Sequence, residues 1–230
     1  MHTAVLAASH GTSSPAGRTA VRMLVERVAA SLDVPVIECH VDVEQPDVDS
    51  ALASVADTAD RAVIVPLLLS AGYHVYVDLA ESADRAQLPA TVAPALGPDD
   101  RLVDVLARRL REAGYAPGTS VVLAAAGSSD ERAVADCLRT GAMLADVLES
   151  SVDVGFISAV QPPLAEAVAS ARDRNPEVPV AVATYLLAPG YFADLAQQAG
   201  ADLVAAPLLT PESTPQELVD IVLDRAAALV

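Results

Sequence analysis

Short, almost unbroken apolar runs alternate along this chain with longer stretches in which apolar residues return every three or four positions. Thr3–Ser9 is the first run, and Gly17–Leu32 follows with Ala20, Leu24 and Val28 at helical spacing between arginines. Pro35–Val43 reads as a second strand, and Gln45-Pro46-Asp47 opens a helix that runs to about Asp57. Arg61–Leu69 is apolar almost throughout, as a strand covered by helices on both faces must be. A helix over Val75–Ala86, a short strand over Thr91–Ala95 and a helix over Asp99–Ala113 complete the series. Strand and helix thus alternate four times, the pattern of a parallel α/β sheet.

Gly114-Tyr-Ala-Pro-Gly-Thr-Ser120 then interrupts the pattern, and it begins again. Strands are predicted over Val121–Ala126, Val152–Ser158, Val180–Leu187 and Leu203–Ala206. Helices are predicted over Asp130–Leu148, Leu164–Arg172, Tyr191–Gln198 and Pro215–Ala228. The halves also match in residues. Ala8-Ser9-His10-Gly11-Thr12-Ser13 answers to Ala124-Ala125-Ala126-Gly127-Ser128-Ser129, and His40-Val41-Asp42-Val43-Glu44-Gln45-Pro46 answers to Phe156-Ile157-Ser158-Ala159-Val160-Gln161-Pro162. Leu68-Leu69-Ser70-Ala71-Gly72-Tyr73-His74 answers to Leu186-Leu187-Ala188-Pro189-Gly190-Tyr191-Phe192. The expectation is a tandem duplication: residues 1–115 and 119–230, each a doubly wound four-stranded parallel sheet flanked by helices, with a linker near 114–119.

The repeat isolates the candidate chemistry. His10, Asp42 and His74 stand at or near the ends of the first three strands, and a parallel sheet brings those ends to one rim. Two imidazoles and a carboxylate suit a divalent transition metal with positions left open. The second half keeps the glycines and Pro162 that shape these loops but carries Ala126, Ser158 and Phe192 in place of the three. One functional site per chain follows, in the first half, with the second half as its facing wall. His40, which shares a strand face with Asp42, and Glu44 are further candidates. Ser9, Ser13 and Ser14 are explained by helix capping, since no G-x-S-x-G elbow is present. The His10-Gly-Thr-Ser-Ser turn has neither of the glycine spacings that cradle nucleotide phosphates.

Composition narrows the partners. The 230 residues are 53% hydrophobic with a net charge of −17, and all 14 basic residues are arginine. That balance opposes binding to nucleic acid or an anionic membrane, where neutralised phosphates supply the affinity. No apolar run is long enough to span a bilayer, and the first residues lead into a strand without a basic leader. Cys39 and Cys137 stand far apart, so free thiols in a reducing cytoplasm are expected rather than a disulfide.

At Ser9-His10-Gly11, at Asp42-x-x-x-Pro46 and above all at Pro66-Leu-Leu-Leu-Ser-Ala-Gly-Tyr-His74-Val75, the sequence resembles the class II tetrapyrrole chelatases, the sirohydrochlorin cobalt- and ferrochelatase family. The resemblance covers both halves, and its long members share this duplicated layout. It implies a chelatase-like fold, a monomer, and a lyase that inserts Fe2+ or Co2+ into sirohydrochlorin without ATP, in siroheme or cobalamin biosynthesis. It also implies His10 and His74 as the metal-binding and proton-accepting pair, and the metal as substrate with no resident cofactor. Asp42 stands where the family usually ends a Phe-Leu-Glu run; here the run is His40-Val41-Asp42, one methylene shorter in its acid, so His40 or Glu44 could share the third position. The substrate's carboxylates call for arginines, and Arg18, Arg22, Arg172 and Arg174 are the candidates. The histidine-rich tail and iron–sulfur motif of some members are not found here. A non-catalytic tetrapyrrole or metal carrier, or a chelatase for another metal such as nickel, would carry the same residues.

Overall fold

The computed structural model describes residues 2–70, 72 and 77–229. The first half runs β1 (Thr3–Ser9), α1 (Pro15–Ala29), β2 (Val36–His40), α2 (Val48–Val55), β3 (Arg61–Pro66), α3 (Leu79–Arg85), β4 (Ala90–Val92) and α4 (Asp100–Glu112). The second runs β5 (Ser120–Ala125), α5 (Glu131–Leu148), β6 (Val152–Phe156), α6 (Leu164–Arg174), β7 (Val180–Tyr185), α7 (Tyr191–Gln197), β8 (Leu203–Val204) and α8 (Gln216–Ala227). Two four-stranded, wholly parallel sheets result, ordered β2-β1-β3-β4 and β6-β5-β7-β8. In register, Ala7 lies between Glu38 and Val65, and Leu123 lies between Val154 and Ala183. No helix among the described residues is long and apolar enough to cross a membrane.

Alternation along the central strands sorts their side chains into layers. On β1, Val5 and Ala7 face a core shared by both halves, while Ala4, Leu6 and Ala8 face an outer core under α2 and α3. On β5, Val121, Leu123 and Ala125 enter the shared core, and Val122 and Ala124 the outer one under α6. The shared core also takes the last helix of each half, and these helices are exchanged. The buried face of α4 (Leu102, Val103, Leu106, Leu110) packs against α5 and β7, and that of α8 (Leu218, Ile221, Val222) packs against α1 and β3.

Polar contacts pin the exchange. Arg108 pairs with Glu217 at 2.7 Å and Arg101 with Asp224 at 2.6 Å. Arg225 donates to the carbonyls of Ala95 (3.0 Å) and Leu96 (3.2 Å), and the buried Arg109 donates to that of Leu208 at 3.1 Å. Cys39 lies in the outer core of the first half and Cys137 on α5; both are free thiols.

The predicted elements are all present, but several strands end earlier than their apolar runs. β3 stops at Pro66 although the run continues to Leu69, β2 stops at His40 rather than Val43, and β7 stops at Tyr185 rather than Leu187. After β3 and β7 the extra residues Leu67 and Leu186 are buried without being paired in a ladder, whereas after β2 Val43 is 56% exposed. Hydrophobicity reports burial, and at β3 and β7 burial outlasts strand pairing. The helix expected over Val75–Ala86 is described from its later part, where α3 begins at Leu79; Val75 and Tyr76 lie outside the described residues.

Candidate active site between the two halves

In each sheet the chain leaves the first strand toward one neighbour and returns on the other side, so a crevice opens at the carboxyl ends of β1 and β3, and of β5 and β7. These two crevices face each other across a cavity of about 780 Å3. Close backbone approaches seal it on two sides. A Cβ on Gly17 would stand 2.3 Å from the Pro189 carbonyl oxygen, and one on Gly72 would stand 3.2 Å from Ala133 Cβ and 3.3 Å from Ser128 Oγ.

His10 follows β1 directly and lines the cavity. Its loop is sewn to the loop after β2, with Val41 N–H donating to Ser9 O at 2.8 Å and Asp42 N–H to His10 O at 3.0 Å. Gly11 lies between them at φ 91°, where a Cβ would meet Asp42 O at 2.2 Å, so only glycine fits. The next turn is a three-residue one: Val43 takes φ 64° and Glu44 N–H donates to Asp42 O at 2.6 Å. That turn separates the two acids. Asp42 is exposed outside the cavity lining, its Oδ1 accepting from Val43 N–H at 2.7 Å, whereas Glu44 lies in the cavity wall. The acid that lines the cavity together with His10 is therefore Glu44 and not Asp42. The spacing pointed to Asp42 because nothing in it betrays a left-handed valine.

The second half repeats the scaffold. Ala159 takes φ 64° with Val160 N–H donating to Ser158 O at 2.8 Å, and a Cβ on Gly127 (φ 89°) would meet Ser158 O at 2.0 Å. Ala126 and Phe192, the counterparts of His10 and His74 in the repeat, line the cavity. Ser158 instead donates its hydroxyl to Ala126 O at 3.0 Å. The family model CbiX matches residues 4–113. The first half of the chain is thus similar to the CbiX family.

The chelatase resemblance read from the motifs is thereby borne out, and the solved structures extend it to the fold of the whole chain. SirB from Bacillus subtilis with Fe3+ superposes with a TM-score of 0.84 at 18% identity, over 99% of this chain and 95% of that one. The sirohydrochlorin chelatase SirB of Bacillus subtilis subspecies spizizenii, in complex with cobalt, gives 0.77 at 19% identity over 99% and 94%. CbiX, described as the terminal enzyme for siroheme biosynthesis in denitrifying bacteria, gives 0.68 at 21% identity over the full length of both chains. At these identities the likeness is one of fold. Among curated proteins none matches the sequence.

Within the first half, Glu44 is held from three directions. Its Oε1 accepts Thr12 N–H at 2.7 Å and its Oε2 stands 2.8 Å from Arg18 Nε, which also donates to Thr12 O at 2.9 Å. Beneath it the buried His40 places Nδ1 2.9 Å from Ser9 Oγ and 4.0 Å from Glu44 Oε1. Burial pulls the His40 pKa below its ordinary value; Glu44 opposes that shift and Arg18 reinforces it. His40 is thus a neutral ring under the site rather than a group in the cavity. Among the described residues no three His, Cys, Asp or Glu side chains cluster around one ion position. His74 lies outside the described residues, although Ser70 and Gly72 before it line the cavity.

The wall contributed by the second half is apolar and aromatic. Tyr191 is 71% exposed at the mouth, its ring 6.1 Å from that of Phe192. The buried Tyr185 crosses between the halves, donating its hydroxyl to Leu69 O at 2.8 Å. Cys137 also lines this side, its thiol pushed up to about 11 by burial. Sequence reasoning missed Cys137 and Tyr185, which carry no motif and reach the cavity only through tertiary packing.

Of the four arginines expected at the substrate, only Arg18 contacts the cavity wall, through its partners Glu44 and Thr12. Arg22 lies outside the lining, on the face of α1 that carries Glu26, 3.9 Å away. Arg172 and Arg174 are corrected outright. They end α6, which runs antiparallel to its strands, and so lie at the amino ends of the second sheet. There Arg172 pairs with Asp202 at 3.0 Å and Arg174 with Asp153, the full length of the strands from the cavity.

Proposed function

We propose that this protein inserts a divalent metal ion, Fe2+ or Co2+, into sirohydrochlorin or a closely related tetrapyrrole without nucleotide hydrolysis. The observation that carries the reading is the asymmetry of the cavity: His10 and Glu44 on one wall, and Ala126, Tyr191 and Phe192 facing them from the other. A flat macrocycle needs an apolar face to lie against, and a metal entering it needs imidazole and carboxylate on the opposite side. The iron and cobalt in the SirB structures agree with a metal as cargo.

In this reading His10 and His74 hold the ion, with Glu44 in place of Asp42 as the neighbouring acid. The ring's two pyrrole N–H protons leave as its nitrogens take the metal, giving the metallated macrocycle and two protons. An imidazole is matched to accept a proton, its ordinary pKa of about 6.5 lying near working pH. Incomplete ligation by the protein is appropriate, because a closed four-ligand site would retain the ion.

Anaerobic mixing with sirohydrochlorin and Co2+ or Fe2+, followed through the macrocycle's absorption, tests the proposal. His10→Ala and His74→Ala are each expected to lower the insertion rate at least about a hundredfold while the fold persists. Insertion that continues at the wild-type rate in both variants would sink the assignment. Binding of ring and metal without turnover in the wild type would instead identify a carrier, and a panel including Ni2+ separates the metals.

A further inference from the structure

Glu44 is the carboxylate of the cavity wall, and both its oxygens are engaged: Oε1 by Thr12 N–H at 2.7 Å, Oε2 by Arg18 Nε at 2.8 Å. An acid held this way is a poor metal ligand, because an incoming cation must displace a guanidinium and meets its positive charge at close range. Arg18 itself is divided. Its Nε serves Glu44 and the Thr12 carbonyl, while its two terminal nitrogens donate no hydrogen bond among the described residues. The side chain is 51% exposed, against 14% for Glu44, which lines the cavity. A polycarboxylate entering there meets a guanidinium before it meets Glu44. The preferred fork for a carboxylate uses Nε together with a terminal nitrogen, which is the edge Glu44 occupies.

We propose that Arg18 is a latch on Glu44, released when a carboxylate of the incoming tetrapyrrole takes the guanidinium. This rests on the function proposed above for the identity of the substrate. Release exposes Oε2 to the metal while Thr12 N–H keeps the other oxygen in place, and the substrate carboxylate neutralises the charge that opposed the ion. Metal affinity then rises when the acceptor ring is seated and stays low when it is not. Arg18 acts through Glu44 and is a positioning residue.

The test is a Co2+ titration of the full chain without tetrapyrrole, read from cobalt's visible absorption, for the wild type, Arg18→Gln, Arg18→Lys, Glu44→Gln and the Arg18→Gln/Glu44→Gln double variant. Arg18→Gln is expected to bind Co2+ about tenfold more tightly than wild type, as loss of a neighbouring unit charge predicts. Arg18→Lys keeps the charge and stays near wild type, and the double variant loses the gain. In the insertion assay Arg18→Gln raises KM for the macrocycle. Equal Co2+ affinity in wild type and Arg18→Gln overturns the latch, as does a gain that survives in the double variant. The two readings fail separately: a Co2+ gain with no insertion by any variant leaves the latch and removes the function, and insertion without the gain does the reverse.

Discussion

Gly11 and Tyr191 show two ways a single residue builds this site. Gly11 combines φ 91° with a carbonyl 2.2 Å from where a Cβ would sit. Gly11→Ala is expected to cost more than about 2 kcal/mol, from the left-handed backbone and the displaced Asp42 loop together, measured as a lower urea midpoint. Tyr191 presents an aromatic face that is mostly exposed although it borders an apolar cavity. Tyr191→Ala should raise the dissociation constant for metal-free macrocycle about tenfold, the scale of one ring-on-ring contact, and leave Co2+ binding unchanged. Fluorescence titration of the macrocycle distinguishes this from a general loss of structure. His10, Gly11 and Phe192 were legible as site positions because the duplication displays each beside its counterpart. Glu44 was legible only as an alternative to Asp42, since the φ 64° turn that aims it has no residue signature: valine is among the residues least expected there.

At the scale of elements, the exchanged helices decide how the halves are joined. α8 is held to the first half by apolar packing on α1 and β3 and by Arg225, which bonds the Ala95 and Leu96 carbonyls. Arg225→Ala leaves two buried-side acceptors without a charged donor and is expected to cost about 1–3 kcal/mol. Arg22→Ala, whose side chain is exposed beside Glu26, should change stability by less than about 0.5 kcal/mol. Urea denaturation with an unchanged m value would establish both. The strand and helix types were readable from periodicity alone. The carboxyl ends of β3 and β7 were not, because residues such as Leu67 are buried by the cavity loops and the opposite half rather than by ladder pairing.

For the molecule as a whole, the shared inner core predicts that the two halves unfold together. A single transition, coincident by far-ultraviolet circular dichroism and tyrosine fluorescence, is expected, and two separated transitions would contradict it. Alkali should weaken the junction. Burial raises the pKa of the Tyr185 hydroxyl above its ordinary value, against an opposing hydrogen bond with Thr140, and Cys137 is raised in the same sense. For an acid raised on folding, the stabilisation is intact below the unfolded value, about 10 for tyrosine, and is lost as pH climbs through it, because the unfolded chain releases its proton first. Tyr185→Phe should flatten the fall in stability above pH 10 while losing about 1 kcal/mol at neutral pH with its bond to Leu69.

The amino-acid order by itself determined the α/β class, the tandem repeat, the parallel sheets and the half that carries the candidate residues. Each of these follows from local periodicity or from comparing the chain with itself. Only the tertiary structure decided which acid meets the cavity, which arginine holds that acid, and which sheet each final helix covers. The physical reason is the same in all three cases. An amphipathic helix such as α4 or α8 specifies that one face will be buried without specifying against what, and a side chain's aim depends on backbone turns and neighbours distant in sequence. Arg172 and Arg174 went to the far edge of the second sheet, and Glu44 came to the cavity wall, for reasons that exist only once the strands lie side by side.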